Sequence, residues 1–312
     1  MTDERCVHVA VGVIKDNCGQ ILISLRHDAA HQGGLWEFPG GKVEAGESVE
    51  LALERELQEE LNITIQEFSP LIKIYHQYTD LNVLLDVWTV TLFTGNPVGM
   101  EDQEILWVRP EQLTDYSFPD ANYPIISAAR LPSEYAILNG DDEQALLADL
   151  NTILSNDVKL IQARIKSLSE KAVLQFCQLA MSLCKDKGAT LMINSAVKGV
   201  DKVDVDGIHL TAKDLLALNL RPDGYAWVAA SCHNQHELLH AEKIGVDFVV
   251  VAPVLATKTH PDAIPLGWEV FKQLTNAVNL PVFALGGMSR QDKDFSLLSG
   301  AQGIAGISTF LM

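Results

Sequence analysis

Gly41-Lys-Val-Glu-Ala-Gly-Glu47-Ser-Val-Glu-Leu-Ala-Leu-Glu-Arg55-Glu56-Leu57-Gln58-Glu59-Glu60-Leu61-Asn62-Ile63 reduces to the pattern G-x5-E-x7-R-E-L-x-E-E-x-N-I. The pattern predicts a helix over residues 48–61, on which Glu56, Glu59 and Glu60 stand three and four apart and project from one face. Carboxylates crowded in this way raise one another's pKa values unless a cation sits among them. A hard divalent ion held by oxygen ligands resolves that repulsion, and Mg2+ commonly arrives with substrate phosphates. The stretch therefore reads as loop, helix and metal site for cutting a phosphate chain. A purely solvated acidic face is the competing reading, but such faces usually alternate with Lys and this one does not.

The remaining composition sets bounds. A chain of 312 residues with 47% hydrophobic content calls for two globular domains. Its formal net charge of -18 argues against a nucleic-acid polymer as partner, which needs a basic footprint, but leaves a free nucleotide open. The first residues lack a signal-peptide core, and the longest apolar runs are strand-sized, so no membrane segment is expected. Cys6, Cys18, Cys177, Cys184 and Cys232 form no C-x-x-C pair, which fits reduced thiols and a cytoplasmic location.

The quoted stretch resembles the Nudix box, departing from it only where Asn62 replaces a late Gly. That position follows the helix, where a left-handed residue is often required and Asn is the usual substitute. The resemblance narrows to the MutT type, the hydrolases that sanitise 8-oxo-dGTP. It runs over residues 7–131 through Ile23-Ser24-Leu25-Arg26, Leu35-Trp36-Glu37-Phe38-Pro39-Gly40-Gly41-Lys42 and Phe118-Pro119-Asp120-Ala121-Asn122-Tyr123-Pro124. It implies a domain over residues 1–131 built as an α/β/α sandwich on a mixed sheet. Strands are expected at 6–14, 20–25, 71–78, 81–93 and 105–108, with a helix near 121–129.

The same resemblance implies that Arg26 and Phe38 frame a purine and that Asn122 bonds its edge. An aromatic offers a stacking face, and an Asn amide has one donor and one acceptor side. Core packing for Phe38, a helix cap for Asn122 and a plain surface charge for Arg26 are the alternatives. For Mg2+, or Mn2+ in its place, the resemblance implies Glu56 and Glu60 as ligands with the Gly41 carbonyl. Glu59 is a ligand or lies just behind one. Glu101, ahead of Glu104, supplies a further ligand or a base. Glu47 and Arg55 form an internal ion pair, and Lys42 contacts a phosphate or is solvated.

After Arg130-Leu131-Pro132 the pattern changes to apolar strand-like runs alternating with helical stretches. Eight such runs, at 135–138, 159–163, 190–193, 207–210, 227–230, 248–252, 282–285 and 303–307, predict a (β/α)8 TIM barrel over residues 134–312, with an open doubly wound sheet as the alternative that this strand count disfavours. Glycines after the last two runs, Gly286 and Gly287, then Gly306 followed by Ser308, read as a phosphate cradle of backbone N–H groups. Tight turns alone are the alternative.

This half resembles thiamine phosphate synthase and its relative, the TenI-like thiazole tautomerase. The matching pieces are Gln162-Ala163-Arg164-Ile165-Lys166, Ile193-Asn194, Asp206-Gly207-Ile208-His209-Leu210, Ala230-Ser231-Cys232-His233 and Thr257-Lys258-Thr259. Ser195 stands where the synthase carries an Asp ligand for Mg2+, while Asp214 is retained. The resemblance puts His233 at the tautomerase's proton-transfer position; a histidine at a strand end with no chemistry is the alternative. The expectation for the whole chain is Mg2+-dependent hydrolysis of 8-oxo-dGTP to the monophosphate and pyrophosphate, joined to a barrel that binds a thiazole or thiamine phosphate. The alternatives are another nucleotide or a thiamine-pathway pyrophosphate as the hydrolase's substrate, and a barrel that acts only as a binding module.

Overall fold

The computed structural model describes residues 6–27, 32–79, 81–257 and 262–311. Lys258 and Thr259, part of one matching motif in the second half, lie outside the described residues. The chain divides into two compact units, Met1–Arg130 and Leu131–Met312.

In the first unit, β1 (Cys6–Ile14) and β2 (Ile21–Leu25) flank a turn in which the Asp16 carboxylate accepts the Cys18 and Gln20 N–H groups. The short strands β3 (Trp36–Glu37) and β4 (Gly40–Lys42) follow, then helix α1 (Val49–Leu61), strands β5 (Thr64–Gln77), β6 (Asn82–Thr94) and β7 (Ile105–Val108), and helix α2 (Tyr123–Arg130). One mixed sheet has the order β4-β1-β6-β5, with β1 parallel to β6, and β3-β2-β7 form a smaller antiparallel sheet.

Helix α1 begins where the Ser48 hydroxyl accepts the Leu51 N–H, so Ser48 caps the helix rather than joining it. The helix buries Ala52, Leu53, Leu57 and Leu61 against Ala10, Ile14, Leu22 and Val90. Each fully buried Leu contributes roughly 2 kcal/mol. On the other side of the sheet, Ile125, Ile126, Ala128 and Ala129 of α2 join a core that contains Ile74, Val83, Leu85 and Val87. The helices thus enclose the sheet as an α/β/α sandwich, and the carboxylate face of α1 is set by which residues the sheet claims.

Two local expectations change. Strand β5 starts at Thr64 instead of near residue 71, because bulges around Glu67 and between Pro70 and Ile72 let a Pro-containing segment stay paired to β6. The last helix is preceded by a 3-10 turn over Asp120–Asn122.

The second unit is a closed parallel barrel. Its strands are β8 (Glu134–Leu138), β9 (Leu160–Ala163), β10 (Thr190–Asn194), β11 (Gly207–Leu210), β12 (Trp227–Cys232), β13 (Phe248–Val251), β14 (Val282–Leu285) and β15 (Gly303–Gly306). Helices α3 (Glu143–Ser155), α4 (Glu170–Asp186), α5 (Ala212–Ala217), α6 (Gln235–Ile244), α7 (Gly267–Thr275) and α8 (Lys293–Leu298) fill six of the seven crossovers, and a 3-10 turn over Val200–Lys202 takes the place of a helix between β10 and β11. Alternation along each strand sorts the core. Ala136, Ile161, Ile193, Val228, Val249 and Ala284 pack in the large cluster with helix residues such as Leu150, Phe176 and Leu238. Tyr135, Leu160, Met192, Trp227, Phe248 and Phe283 form a separate inner cluster.

Asn62 closes α1 in the left-handed region at φ 55, ψ 39, its N–H reaching the Gln58 carbonyl. Asn62→Gly is expected to stay close to wild type in a thermal melt, whereas Asn62→Val lowers stability by roughly 1–2 kcal/mol because a β-branched residue resists that conformation.

Candidate active site and barrel mouth

Strand β4 and helix α1 meet where neither Gly40 nor Gly41 carries a side chain. A Cβ on Gly41 would lie 2.2 Å from the Glu56 carboxyl carbon, so only glycine lets that carboxyl reach the backbone. The Gly40 N–H donates to Glu60 Oε2 at 3.0 Å, and a Cβ there would strike the Ala10 carbonyl. Arg55 ties the preceding loop to the helix. Its Nε and Nη2 bind both Glu47 oxygens at 3.0 and 2.9 Å, Nη2 also reaches the Lys42 carbonyl, and Nη1 binds Glu56 at 2.8 Å and Glu59 at 3.3 Å. The hydrogen bonds from Arg55 hold the Glu47 carboxyl below its ordinary range.

Glu60 shows the opposite effect. Burial pushes its pKa up to about 8, against the pull of the Gly40 N–H, and the charges of Glu37, Glu56 and Glu101 push the same way. The loop bearing Glu101 is held to the end of α1 by two carbonyls: that of Glu60 accepts from Met100 N at 2.9 Å and Gln103 Nε2 at 3.1 Å, and that of Leu61 accepts from Val98 N at 3.1 Å. Glu104 is not among the groups that raise Glu60. Among the described residues, no three His, Cys, Asp or Glu side chains close on one point tightly enough to cage a metal ion. The donors nonetheless suit a hard cation: all are oxygen, and a desolvated Glu60 is repelled by three neighbouring acids. Glu56, Glu60 and the Gly41 carbonyl, with Glu101 beside them, are the groups that would hold it, and Glu59 is turned to Arg55 on the exposed side.

A cleft of about 370 Å³ adjoins this patch, with Arg26, Phe38, Gly41, Lys42, Tyr78 and Asn122 in its lining. Arg26 pairs with Glu37, whose carboxyl is raised by burial and lowered by that pairing. The Phe38 ring is only 3% exposed and stacks on Phe118 at 5.4 Å, so core packing fixes the face it offers the cleft. Asn122 is 8% exposed, and among the described residues its side-chain amide has no hydrogen-bond partner and caps no helix.

The barrel carries a second cleft, of about 380 Å³, lined by Gln162, Arg164, Asn194, His209, Ser231 and His233 with Gly286 at its edge. Above the apolar interior, four of these make a polar layer. Asn194 Nδ2 donates to Gln162 Oε1 at 3.0 Å, and Gln162 Nε2 donates to the Tyr135 hydroxyl at 3.1 Å. The Tyr135 hydroxyl lies 3.0 Å from His209 Nδ1, and His209 Nε2 lies 2.8 Å from Ser231 Oγ. Burial, then the charges of Arg164 and Lys166, lower the His209 pKa to about 3, so the ring is neutral. With Tyr135 already accepting from Gln162, its proton goes to Nδ1 and the His209 proton sits on Nε2, donating to Ser231.

His233 stands at the mouth, its Nδ1 3.0 Å from Glu237 Oε2. Glu237 also accepts the His233 backbone N–H at 2.7 Å and an Asn234 Nδ2 proton, which locks the pair at the start of α6. Ser195 donates to Asp214 Oδ2 at 2.5 Å and Thr211 Oγ1 donates to the same oxygen at 2.7 Å. Of the glycine loops, Gly286 lines the cleft together with Ile307. Gly287, Gly306 and Ser308 do not line it: a Cβ on Gly306 would meet Thr309 Oγ1 at 2.1 Å, and Thr309 in turn bonds the Met288 carbonyl.

The NUDIX domain profile matches residues 10–128, and that of thiamine monophosphate synthase matches residues 134–310. The chain belongs to both families. The Nudix unit is 40% identical over 121 residues to the 8-oxo-dGTP diphosphatase of Escherichia coli, covering 39% of this chain and 94% of that protein. It is 36% identical over 124 residues to the enzyme of the same name in Haemophilus influenzae, covering 40% of this chain and 91% of that protein. The barrel is 32% identical over 151 residues to the thiamine-phosphate synthase of Chloroflexus aurantiacus, covering 48% of this chain and 70% of that protein. No described helix is long and apolar enough to cross a membrane.

The roles of Glu37 and Gln103 in the Nudix unit, and of Tyr135 and Glu237 in the barrel, are not among the sequence expectations. Glu37 sat inside a quoted motif, but its role depends on β3 pairing with β2, which brings it to Arg26. Glu237, four residues after His233, carried a helix-start signal that could have been used.

Two measurements test this geometry. Gly41→Ala should lose nearly all Nudix hydrolysis while the barrel's thermal transition is unchanged, since the new methyl displaces Glu56. For His209, the folded pKa lies below the ordinary 6.5, so stability is full above 6.5 and falls as pH drops from there towards about 3. The limiting slope is about 1.4 kcal/mol per pH unit, and His209→Gln should flatten it in acid-unfolding curves of the barrel.

Proposed function

We propose that the Nudix unit hydrolyses 8-oxo-dGTP to 8-oxo-dGMP and pyrophosphate. The observation that carries this reading is Asn122, whose side-chain amide pairs with no described residue and lines a cleft beside a desolvated acidic patch. An amide with one donor and one acceptor side, facing a cleft, can pair two neighbouring groups of a ligand. Oxidised guanine differs from guanine by a C8 carbonyl and an N7–H donor, so it presents a changed edge to such an amide. Phe38 offers a fixed face for the base, and Arg26 borders the same space. Lys42, at the end of β4, lines the same cleft, and its ammonium group serves the phosphate oxygens in this reading.

In the reaction, Arg55 fixes loop 42–47 against α1, and the Gly40 N–H orients Glu60. Glu56, Glu60, the Gly41 carbonyl and Glu101 would hold Mg2+, which supplies charge neutralisation at the phosphates and an acidified water. Glu101 or Glu59 accepts the proton of the attacking water; Glu101 lies nearer the acidic cluster, whereas Glu59 is engaged by Arg55.

The second reading is a thiamine-pathway pyrophosphate as the Nudix substrate. It is favoured by one observation, the presence of a thiamine monophosphate synthase family barrel in the same chain. For the barrel itself we propose a site for a thiazole or thiamine phosphate, with His233, steadied by Glu237, as the group that moves a proton.

A kcat/KM comparison of 8-oxo-dGTP, dGTP and thiamine pyrophosphate decides between the two Nudix readings, and equal rates for the first two overturn the main one. Glu56→Gln should lower kcat on the order of a hundredfold or more. Asn122→Ala should lower kcat/KM for 8-oxo-dGTP by about ten- to a hundredfold and for dGTP by less.

A further inference from the structure

The carboxylates of the Nudix patch are placed by different means. Arg55 holds that of Glu56, and the Gly40 N–H holds that of Glu60. Glu101 is exposed, and among the described residues its carboxylate takes part in no hydrogen bond or ion pair. Its charge nonetheless lies near enough to act on Glu60. A Glu side chain with no bond of its own keeps its rotamer freedom, so the position of its backbone decides what the carboxylate can reach.

That backbone is held at both of its polar groups. The Glu101 N–H donates to Gln103 Oε1 at 2.8 Å, while Gln103 Nε2 donates to the Glu60 carbonyl at 3.1 Å. One amide, using its acceptor and donor sides together, thus ties the backbone of Glu101 to that of Glu60. The Glu101 carbonyl lies 2.7 Å from His27 Nε2, and a carbonyl only accepts, so that nitrogen carries the proton. The loop is tight enough to pass these constraints on. Asp102 is left-handed at φ 61, and a Cβ on Gly99 would strike the Gln103 carbonyl.

His27 arrives there by strand register. Strand β2 runs antiparallel to β7 with Ser24 opposite Ile105, and the Leu25 N–H bonds the Glu104 carbonyl. Continued by two residues, that register brings His27 to the Glu101 loop and leaves its neighbour Arg26 in the lining of the cleft. We infer that His27 and Gln103 are positioning residues for Glu101, clamping its peptide at the C=O and the N–H so that a carboxylate without bonds of its own is kept beside Glu60. The inference deepens the reading of the Nudix unit as a metal-assisted hydrolase and rests on it.

The test uses the full chain carrying His27→Ala, Gln103→Ala or Glu101→Gln, and each of the first two combined with the third. On 8-oxo-dGTP, each clamp substitution should lower kcat about three- to tenfold and leave KM within about twofold, because Arg26, Phe38 and Asn122 are untouched. His27→Gln keeps an N–H donor and should recover most of the loss. In the Glu101→Gln background neither clamp substitution should lower kcat further, as expected of residues that act through Glu101. Mn2+ titration without nucleotide, read from the electron paramagnetic resonance of the free ion, gives a second measure. His27→Ala and Gln103→Ala should each weaken Mn2+ binding about threefold or more, as Glu101→Gln does. His27 is exposed, so its arm of the test stands even if Gln103→Ala fails to fold. Losses that add to that of Glu101→Gln, a raised KM in place of a lowered kcat, or kcat and Mn2+ affinity unchanged by the clamp substitutions overturn the inference. Equal wild-type rates on 8-oxo-dGTP and dGTP overturn the substrate reading alone, since each ratio compares variants on one substrate. A wild-type chain that hydrolyses neither overturns the hydrolase reading, and the Mn2+ titration then still decides the clamp.

Discussion

Everything in the Nudix unit turns on how closely α1 approaches β4. Two consecutive residues without side chains, Gly40 and Gly41, let the carboxyls of Glu56 and Glu60 lie against the strand's backbone. That contact desolvates Glu60, and desolvation is what gives the acidic cluster its affinity for positive charge. The same approach requires α1 to lie flat on β1, where a Cβ on Gly12 would already touch Leu57 at 3.1 Å. Core packing and acidic chemistry are therefore set by one helix–strand distance.

Arg55 solves a problem this arrangement creates. A loop that must carry Lys42 and Glu47 past the helix needs an anchor, and one guanidinium bridges Glu47, Glu56, Glu59 and the Lys42 carbonyl. Glu47 is thereby spent on structure, while among the described residues Glu60 and Glu101 pair with no Arg. Glu59 is drawn outward by the same cation, which separates it from Glu60 although the two are adjacent in sequence. In the barrel a comparable division holds. Tyr135 caps the apolar interior with its ring and begins the polar layer with its hydroxyl, so one side chain joins core to site. Neutral His209 then passes the direction of that layer to Ser231 at the mouth.

The pattern from Gly41 to Ile63 was sufficient for the helix, its carboxylate face and the left-handed stop at Asn62, because each depends on local backbone rules and 3.6-residue periodicity. The eight alternating strands likewise announced a barrel, since a two-residue period and strand–helix alternation admit few closures. The bulged start of β5 was hidden, because a Pro within a strand is tolerated only through its pairing with β6.

Pairings between distant residues could come only from the folded chain. Glu37 reaches Arg26 through the register of β3 on β2, and Gln103 reaches the Glu60 carbonyl across a loop. Glycines that looked equivalent as a phosphate cradle separate once folded, Gly286 lining the cleft and Gly306 lying beneath Thr309. Sequence determined which groups the protein owns and which faces its helices and strands present, because those follow from spacing along one backbone. Tertiary structure decided which carboxylates are paired, which are desolvated and which amide is left without a partner, because burial and charge depend on neighbours far away in the chain.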